Sequence, residues 1–367
     1  MRKSDRLRRA ATAVALVAVL AVAALALAAC GGNENSGSGL PGSDSGNTIV
    51  GAGASFPYPL YSKWGSEYNN LNGVKLNYQS IGSGGGISAI EAKTVDFGAS
   101  DAPLEPAELE AAGLMQWPQC VGGVVLVVNL DGVETDQLKL TADLVAKIYN
   151  GDIKDWGDPQ IAKVNTGLQI PAGKINVVHR SDGSGTTWIF TKYLDAAAGD
   201  VWTLGGDKEI AWPTGVGGKG NEGVAASVQQ LKGSIGYVEY AYAKETGLVT
   251  TQLQNAAGEW VEPSLAAFSE AAVQADWAGA EDFYLVLVDQ PGADTWPITG
   301  ASFIMVHKEQ QDAGRAKTML QFFDWAFTDG GASAESLDYV PIPKDVYQLI
   351  ESEWETITAA GTPVWPQ

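Results

Sequence analysis

Cysteine and histidine are scarce in this sequence, which has two of each among 367 residues. Cys30 ends an apolar N-terminal run, so Cys120 is the only thiol in the rest of the chain and has no partner there for a disulfide. With only His179 and His307 available, the sequence disfavours a zinc site or a histidine-assisted hydrolase, and we interpret both histidines as structural. We expect no bound metal and no cofactor.

Positive charge is also scarce, because 23 Lys and Arg residues stand against 43 Asp and Glu residues, for a formal net charge of -20. Such an acidic chain repels the phosphate backbone of nucleic acid, which we therefore exclude as a partner. It also repels small anions at long range. Any anion site must therefore act through local dipoles and hydrogen bonds rather than through overall charge.

Basic residues cluster at the N-terminus, where they precede the apolar run 10–29 and then Cys30. This pattern predicts a secretory signal at 1–29. The segment LAAC that ends in Cys30 resembles the bacterial lipobox, so we expect Cys30 to be lipid-modified and to become the mature N-terminus. The run is long enough for a membrane-spanning anchor, but the small residues before the cysteine favour cleavage. The polar residues 30–47 predict a flexible tether on the outer face of the cell membrane.

Short β-branched runs alternate with helical patterns after residue 47, which indicates an α/β fold. The first predicted elements are strands at 48–52 and 74–78 and helices at 57–68 and 86–92. The unbroken apolar run 121–128 and the segment SFIMV at 302–306 both predict buried strands, and they are candidates for the crossings between two lobes. Two lobes are expected because a chain of this length exceeds one compact core.

The run RSDGSGT that starts at Arg180 is the strongest candidate for a binding site. It lies between a predicted strand, 174–179, and a helical pattern further along. The first N–H groups of a helix at such a corner are free to bind an oxyanion. Ser184 and Thr186 add hydroxyl donors, and Gly185 permits close approach of a ligand. Arg180 offers a planar fork of donors. On this segment alone, an ordinary capped helix after a turn explains the pattern at least as well.

Three further corners share this pattern, and their segments are GAGASFP from Gly51, IGSGGG from Ile81 and VDFGASD from Val95. Each alone is typical of a turn or cap, but together they would surround an oxyanion with donors. The carboxylate of Asp101 fits a ligand that carries a proton, because hydrogen phosphate can donate to it and sulfate at neutral pH cannot. Asp182 either holds Arg180 in position or caps the helix.

The local motifs of common phosphate-handling enzymes are absent. The sequence has no Gly-x-x-x-x-Gly-Lys-Ser/Thr loop and no Gly-x-Ser-x-Gly elbow. Gly215, Gly217 and Gly220 match the spacing of a dinucleotide-binding loop, but the preceding WPT is not a strand that could hold the turn. We therefore predict that the protein is not an enzyme.

A family resemblance rests on several segments, namely GAGASFPYPLYSKW, IGSGGG, VDFGASDAPL, RSDGSGTTW, GGKGNEGVAASVQQLKGSIGYVEYAYA, FFDWAF and LDYVPIP. In this order they make the chain resemble the phosphate-binding lipoproteins of bacterial phosphate ABC transporters. The resemblance implies a two-lobed periplasmic-binding-protein fold of type II, with the ligand in the cleft between the lobes. Lobe 1 would comprise 48–122 and 301–367, and lobe 2 would comprise 123–300.

The resemblance also implies the residues that contact phosphate, namely Ser55, the backbone N–H of Phe56, Ser83, Asp101 as proton acceptor, Arg180, Ser184, Gly185 and Thr186. Asp182 would orient Arg180. Ser55 stands where the family often has threonine and keeps the hydroxyl group. His179 stands where relatives often have another arginine, and as a strand neighbour of Arg180 it should point away from the ligand.

The implied function is that of a non-catalytic receptor, lipid-anchored through Cys30, that captures inorganic phosphate and delivers it to membrane permease subunits for import. Two alternatives stay open. One is a secreted phosphatase-like enzyme, for which the sequence offers neither a metal set nor an activated nucleophile. The other is a receptor for a different oxyanion, such as sulfate or molybdate.

Overall fold

The computed structural model of the protein describes residues 47–366. The predicted secretory signal, Cys30 and nearly all of the predicted tether lie outside these residues. Among the described residues, no helix has the length and apolar character that crossing a membrane requires.

Strands and helices alternate along the described chain, as the sequence predicts. The strands are β1 (Thr48–Gly53), β2 (Lys75–Ser80), β3 (Phe97–Ser100), β4 (Leu114–Asn129), β5 (Lys139–Leu140), β6 (Asn176–Arg180), β7 (Val216–Gly218), β8 (Ser234–Glu239), β9 (Val249–Thr250), β10 (Gln252–Gln254), β11 (Trp260–Val261), β12 (Thr299–His307), β13 (Glu309–Gln310), β14 (Val340–Pro341), β15 (Thr358–Ala359) and β16 (Thr362–Pro363). The helices are α1 (Tyr58–Asn72), α2 (Ser83–Glu91), α3 (Pro106–Ala112), α4 (Ala142–Tyr149), α5 (Pro159–Val164), α6 (Gly185–Ala197), α7 (Gly220–Gln230), α8 (Tyr240–Thr246), α9 (Leu265–Ala272), α10 (Ala313–Thr328), α11 (Gly331–Glu335) and α12 (Lys344–Trp354).

The main sheet is mixed and follows the order β2-β1-β3-β12-β4-β8-β6-β7. β1 pairs in parallel with β2 and β3, and β6 pairs in parallel with β7 and β8. The long strand β4 joins these two groups, because its residues 114–123 pair with β12 and its residues 124–129 pair with β8. We call the β12 side of β4 the first half-sheet and the β8 side the second half-sheet.

Strand β4 is buried along nearly its whole length, as expected for a strand covered on both faces. It contains the predicted strand 121–128 but begins earlier, at Leu114. The predicted strand 302–306 lies inside β12. Within the described chain, β12 pairs with β3 and with residues 114–123 of β4, so it stays in the first half-sheet. The expectation that this segment crosses between lobes stays a prediction.

Aromatic side chains fill the core behind the first half-sheet. Helix α10 buries Met319, Leu320 and Phe323 completely, whereas Phe327 is only partly buried. The ring of Phe323 lies edge-on to Trp117, with a centroid distance of 5.6 Å. Such contacts add to the burial of apolar area and fix α10 against the sheet.

A second aromatic group lies behind the second half-sheet. The ring of Phe190 in α6 stacks on Tyr237 of β8 at 4.3 Å and lies edge-on to Tyr149 of α4 at 4.9 Å. The hydroxyl of Tyr237 accepts a hydrogen bond from the backbone N–H of Arg180 at 3.2 Å. This packing therefore fixes the end of β6, from which Arg180 projects.

Candidate oxyanion-binding site

The glycine-rich corners of the sequence come together where the two half-sheets meet. Ser55 follows β1, Ser83 begins α2, and Asp101 follows β3 on the first half-sheet. Arg180 ends β6 and Thr186 lies in the first turn of α6 on the second half-sheet. The carboxyl ends of neighbouring parallel strands lie at one edge of a sheet, which brings these side chains together. None of the five residues is more than 4% exposed, so they form an enclosed site.

Arg180 is held by a bidentate ion pair with Asp182. Its Nε donates to Asp182 Oδ1 at 2.9 Å and its Nη2 donates to Oδ2 at 2.6 Å. The backbone N–H of Gly220 also donates to Asp182 Oδ1. Burial acts to raise the pKa of Asp182, but the hydrogen bonds and charge of Arg180 keep that pKa below its ordinary value. Such a pair fixes the plane of the guanidinium group, so Asp182 lies where it orients Arg180.

Helix α6 is capped by Ser184 rather than by Asp182. The Ser184 Oγ accepts from the backbone N–H of Thr187 at 3.0 Å, which satisfies one free donor of the first turn. The remaining positive end of the helix faces the site. His179 lies to one side, where its ring stacks on Trp212 at 5.1 Å and its Nδ1 contacts the carbonyl oxygen of Arg180.

Asp101 is the carboxyl group of the enclosed site. Its Oδ1 accepts a hydrogen bond from Ser302 Oγ at 2.8 Å. Burial raises the pKa of Asp101 to about 7, while the Ser302 hydrogen bond, the charge of Arg180 and a hydrogen bond from Thr186 act to lower it. A carboxyl group with this pKa exchanges its proton near neutral pH, so it can face a ligand that carries a proton of its own.

Ser83 and Gly185 join the two half-sheets across the site. The Ser83 Oγ accepts from the backbone N–H of Gly185 at 2.9 Å and from that of Asp101 at 3.2 Å. A Cβ atom at Gly185 would lie only 2.5 Å from Ser83 Oγ and 2.6 Å from Asp101 Cβ. Only glycine therefore permits this close approach. The N–H of Gly84 also donates to the carbonyl of Gly183 at 2.9 Å.

Ser55 and Phe56 form the remaining wall of the site. The Ser55 Oγ accepts from both the backbone N–H and the Nδ2 of Asn221, at 3.0 and 2.9 Å. The carbonyl of Phe56 accepts from the Tyr339 hydroxyl at 2.7 Å, and the same hydroxyl lies 2.8 Å from Oε2 of Glu239. Tyr339 and Glu239 are both completely buried. The Ser55–Phe56 corner is thus tied to both half-sheets.

Acidic groups outnumber the one buried arginine around the site. Glu239, like Asp101, lies away from water, and burial raises the pKa of Glu239 to about 8, with further raising by the charge of Asp101. Hydrogen bonds from the Ala241 N–H and the Tyr339 hydroxyl act to lower it.

Within residues 47–366, no three His, Cys, Asp or Glu side chains form a group that could hold a metal ion.

The structure adds two residues that the sequence analysis missed. Ser302 contacts Asp101 across a sequence separation of 201 residues, and Asn221 contacts Ser55 across 166. Asn221 lies in the segment GGKGNEGVAASVQQLKGSIGYVEYAYA that carries the family resemblance, but the resemblance does not imply it as a phosphate contact. Ser302 lies in an apolar strand, where no local pattern marks it.

The sequence is similar to those of a known protein family. A profile described as the PBP superfamily domain matches residues 38–330. The chain is 53% identical over 308 residues to the phosphate-binding protein PstS of Xylella fastidiosa, covering 83% of this chain and 84% of that protein. It is 51% identical over 312 residues to the phosphate-binding protein PstS of Haemophilus influenzae, covering 84% of this chain and 93% of that protein.

Solved structures agree with this placement at the level of the fold. A phosphate ABC transporter substrate-binding protein of Clostridium perfringens, solved with bound phosphate, matches with a TM-score of 0.59 at 17% sequence identity. The match covers 81% of this chain and all of that chain. Together with the sequence identities, the comparison leads to one conclusion: the chain belongs to the PstS family of phosphate-binding proteins, within the PBP superfamily.

Proposed function

We propose that the protein is a non-catalytic, extracytoplasmic receptor that binds inorganic phosphate for an ABC transporter. The observation that carries this proposal is the enclosed site, in which buried hydroxyl and guanidinium donors from both half-sheets lie together with the buried carboxyl group of Asp101. Donors from both half-sheets suit a tetrahedral oxyanion, and relatives named as phosphate-binding proteins share half of the sequence.

The proposed phosphate contacts are Ser55, the N–H of Phe56, Ser83, Asp101, Arg180, Ser184, Gly185 and Thr186, with Asp182 orienting Arg180. The hydroxyl and N–H groups would donate to phosphate oxygens, and the helix N-terminus at α6 would supply further positive potential. This local arrangement compensates for the long-range repulsion expected from the net charge of -20.

Asp101 would select phosphate over sulfate. Hydrogen phosphate has a P–OH group that can donate to the carboxylate, so the pair shares one proton. Sulfate at neutral pH has no proton, and its negative oxygen would face the carboxylate directly. A site that leaves a buried polar group unpaired in this way can reject the wrong ligand by about 10⁴-fold.

The two half-sheets support a two-lobed receptor. We propose lobes at 48–122 with 301–367 and at 123–300, because β4 changes its partner from β12 to β8 between residues 123 and 124. Hydrogen bonds across the site, such as Gly84 N–H to the carbonyl of Gly183, would form when the lobes close around phosphate. Opening would break them and expose the ligand to solvent.

We further propose that Cys30 carries the lipid that anchors the receptor to the outer face of the cell membrane, and that permease subunits of the transporter are its protein partners. The support is the sequence pattern around Cys30 and the naming of one structural relative as a transporter substrate-binding protein. Mass spectrometry of the protein from membranes would test the anchor. An unmodified Cys30 on the full membrane-bound chain would contradict it.

A pair of assays tests the function itself. Purified protein should bind phosphate with one site per chain in titration calorimetry and should not hydrolyse a chromogenic phosphoester. Sustained phosphoester turnover by the purified protein would contradict the receptor and favour the phosphatase-like enzyme. Equal or tighter binding of sulfate or molybdate would favour a receptor for another oxyanion.

A further inference from the structure

Asn221 is not among the phosphate contacts that the family resemblance implies or that are proposed above. It is completely buried in the first turn of α7. Its backbone N–H and its Nδ2 both donate to Ser55 Oγ, at 3.0 and 2.9 Å, and its Nδ2 also donates to Thr186 Oγ1 at 3.0 Å. The side chain of Asn221 therefore contacts two residues that we propose to bind phosphate, Ser55 on the first half-sheet and Thr186 on the second.

The orientation of the Asn221 amide follows from its fourth hydrogen bond. The Oδ1 accepts from the backbone N–H of Glu239 at 2.8 Å. A backbone N–H can only donate, so the oxygen of the amide must face Glu239 and the NH₂ group must face the two hydroxyls. Both protons of Nδ2 are then directed at Ser55 and Thr186.

These contacts determine what the Ser55 hydroxyl can still do. A hydroxyl group has one proton and two acceptor lone pairs. At Ser55, the backbone N–H and the Nδ2 of Asn221 occupy both lone pairs, so the oxygen keeps only its proton for another partner. Thr186 Oγ1 is similarly occupied, because Asn221 Nδ2 and Arg180 Nη1 both donate to it, at 3.0 and 3.3 Å.

We propose that Asn221 is a positioning residue that makes the Ser55 hydroxyl an obligatory donor toward bound phosphate. This inference rests on the proposed phosphate function. Because the Ser55 hydroxyl can only donate, its partner in the ligand must be a hydrogen-bond acceptor. The unprotonated oxygens of phosphate meet this requirement, and a ligand that offers only donors does not. Ser55 is on the first half-sheet and Asn221 on the second, so Asn221 orients the Ser55 hydroxyl only when the two half-sheets are in contact. The orientation of this donor is therefore coupled to the closing of the proposed lobes.

A double-mutant cycle tests this role, with phosphate affinity measured by calorimetry. Ser55→Ala and Asn221→Ala should each weaken binding by about 10- to 100-fold, because a hydrogen bond to a charged group contributes about 1.5–3 kcal/mol. The double variant should bind much more tightly than the product of the two losses predicts, since Asn221 has no Ser55 proton left to orient. A small further loss through Thr186 is compatible with this result.

The matched control is Ser227→Ala on the same helix. Ser227 Oγ donates to the carbonyl of Gly223 within α7, so this variant should leave phosphate affinity unchanged. If the loss of phosphate affinity in the double variant equals the product of the two single losses, Asn221 does not position Ser55. An unchanged phosphate affinity of Asn221→Ala would overturn the positioning role as well. Both outcomes leave the phosphate function intact if the unsubstituted protein binds phosphate, whereas failure of the unsubstituted protein to bind overturns both proposals.

Asn221→Asp provides a second test if the alanine variant does not fold. The aspartate is nearly the same size, but it presents an acceptor to Ser55 and would draw the hydroxyl proton away from the ligand. We expect Asn221→Asp to lower phosphate affinity by at least about 100-fold. In the Ser55→Ala background, the same substitution should cause a smaller loss. Affinity within about twofold of the unsubstituted protein would overturn the inference.

Discussion

At the scale of single residues, Asp101 determines which oxyanion the site accepts. The carboxyl group is buried beside Ser302, and burial raises its pKa to about 7. The Ser302 hydrogen bond and the charge of Arg180 act against this rise and favour the carboxylate, which is the form that can accept the proton of hydrogen phosphate. The same carboxyl group opposes a fully ionised anion, because two negative oxygens would meet without a proton between them.

Asp101→Asn should narrow the difference between phosphate and sulfate affinity. An amide can donate to either anion, so phosphate loses its specific acceptor and sulfate loses its repulsion. We expect the affinity ratio, measured by calorimetry at neutral pH, to fall by at least about tenfold. Asp131→Asn is the matched control, because its side chain is 78% exposed. An unchanged ratio in Asp101→Asn would refute the selection mechanism.

Arg180→Lys should weaken phosphate binding by about 10- to 100-fold. An ammonium group cannot make the paired contacts to Asp182 and also reach Thr186, as the planar guanidinium does. The control is Arg315→Lys, whose ion pair with Asp96 is partly exposed and which should leave affinity unaltered. If calorimetry gives the same phosphate affinity for Arg180→Lys and the unsubstituted protein, Arg180 is not a ligand.

The residues of the site differ in how far the sequence could predict them. Arg180, Ser184 and Thr186 lie in one run, where the residue types at a strand-to-helix corner already indicate an anion site. Asn221 and Ser302 act across separations of 166 and 201 residues. Their roles depend on the pairing of distant strands, which no local pattern contains.

At the scale of elements, the N-termini of α2 and α6 meet across the site. The sequence predicts a helix start at Gly86, yet α2 begins at Ser83. Glycine is a poor helix former, so local propensity places the start too late. In the structure, Gly86 leaves no room for a Cβ atom, which would lie 2.6 Å from Gly53 Cα. Close packing against β1 and β3 explains why glycine stands at position 86.

Gly185→Ala should weaken phosphate binding without loss of the fold. The new Cβ atom would lie within about 2.6 Å of Ser83 and Asp101, which prevents the two half-sheets from meeting closely. Alanine favours helix α6 by up to about 1 kcal/mol, so thermal stability without ligand should change little. Calorimetry and a thermal melt measure the two effects.

The control for this variant is Gly314→Ala in the first turn of α10. The nearest atom to a Cβ at Gly314 is Asp312 Oδ1, at an ordinary contact distance of 3.4 Å. This variant should bind phosphate normally. If Gly185→Ala also binds normally, close approach across the site is not required for binding.

At the scale of the whole molecule, two buried carboxyl groups link stability to pH. Burial raises the pKa of Glu239 to about 8 and that of Asp101 to about 7. A carboxyl group with a raised pKa in the folded state is held as the neutral acid more strongly than in the unfolded chain. Its contribution to stability is fully present below the unfolded pKa, near 4.5 for Glu, and is lost as pH rises through the folded pKa.

The free energy of unfolding of the ligand-free protein should therefore fall as pH rises from about 5 to 9. Glu239→Gln should flatten this dependence, with an effect of a few kcal/mol at most, since one unit of pKa corresponds to about 1.4 kcal/mol. Urea titrations at several pH values measure it. Glu355→Gln is the control, because Glu355 is exposed. Identical pH slopes for Glu239→Gln and the unsubstituted protein would contradict the raised pKa of Glu239.

Some features of the overall architecture were predictable from the sequence and others were not. Alternating strands and helices indicated the α/β class, and the apolar run 121–128 indicated a buried strand. The sharing of β4 between two half-sheets was not predictable, because it depends on which strands pair on each side. The pairing of β12 with β3 and with residues 114–123 of β4 has the same cause. The proposed lobe boundaries remain a prediction.

The enclosed donors around the buried carboxyl group of Asp101 should bind phosphate and reject sulfate. Calorimetry at neutral pH and fixed salt, on the unsubstituted protein, gives the ratio of phosphate to sulfate affinity. We expect one phosphate site per chain and a preference for phosphate of at least about 10⁴-fold. Equal affinities for the two anions, or no binding of phosphate, would contradict this expectation.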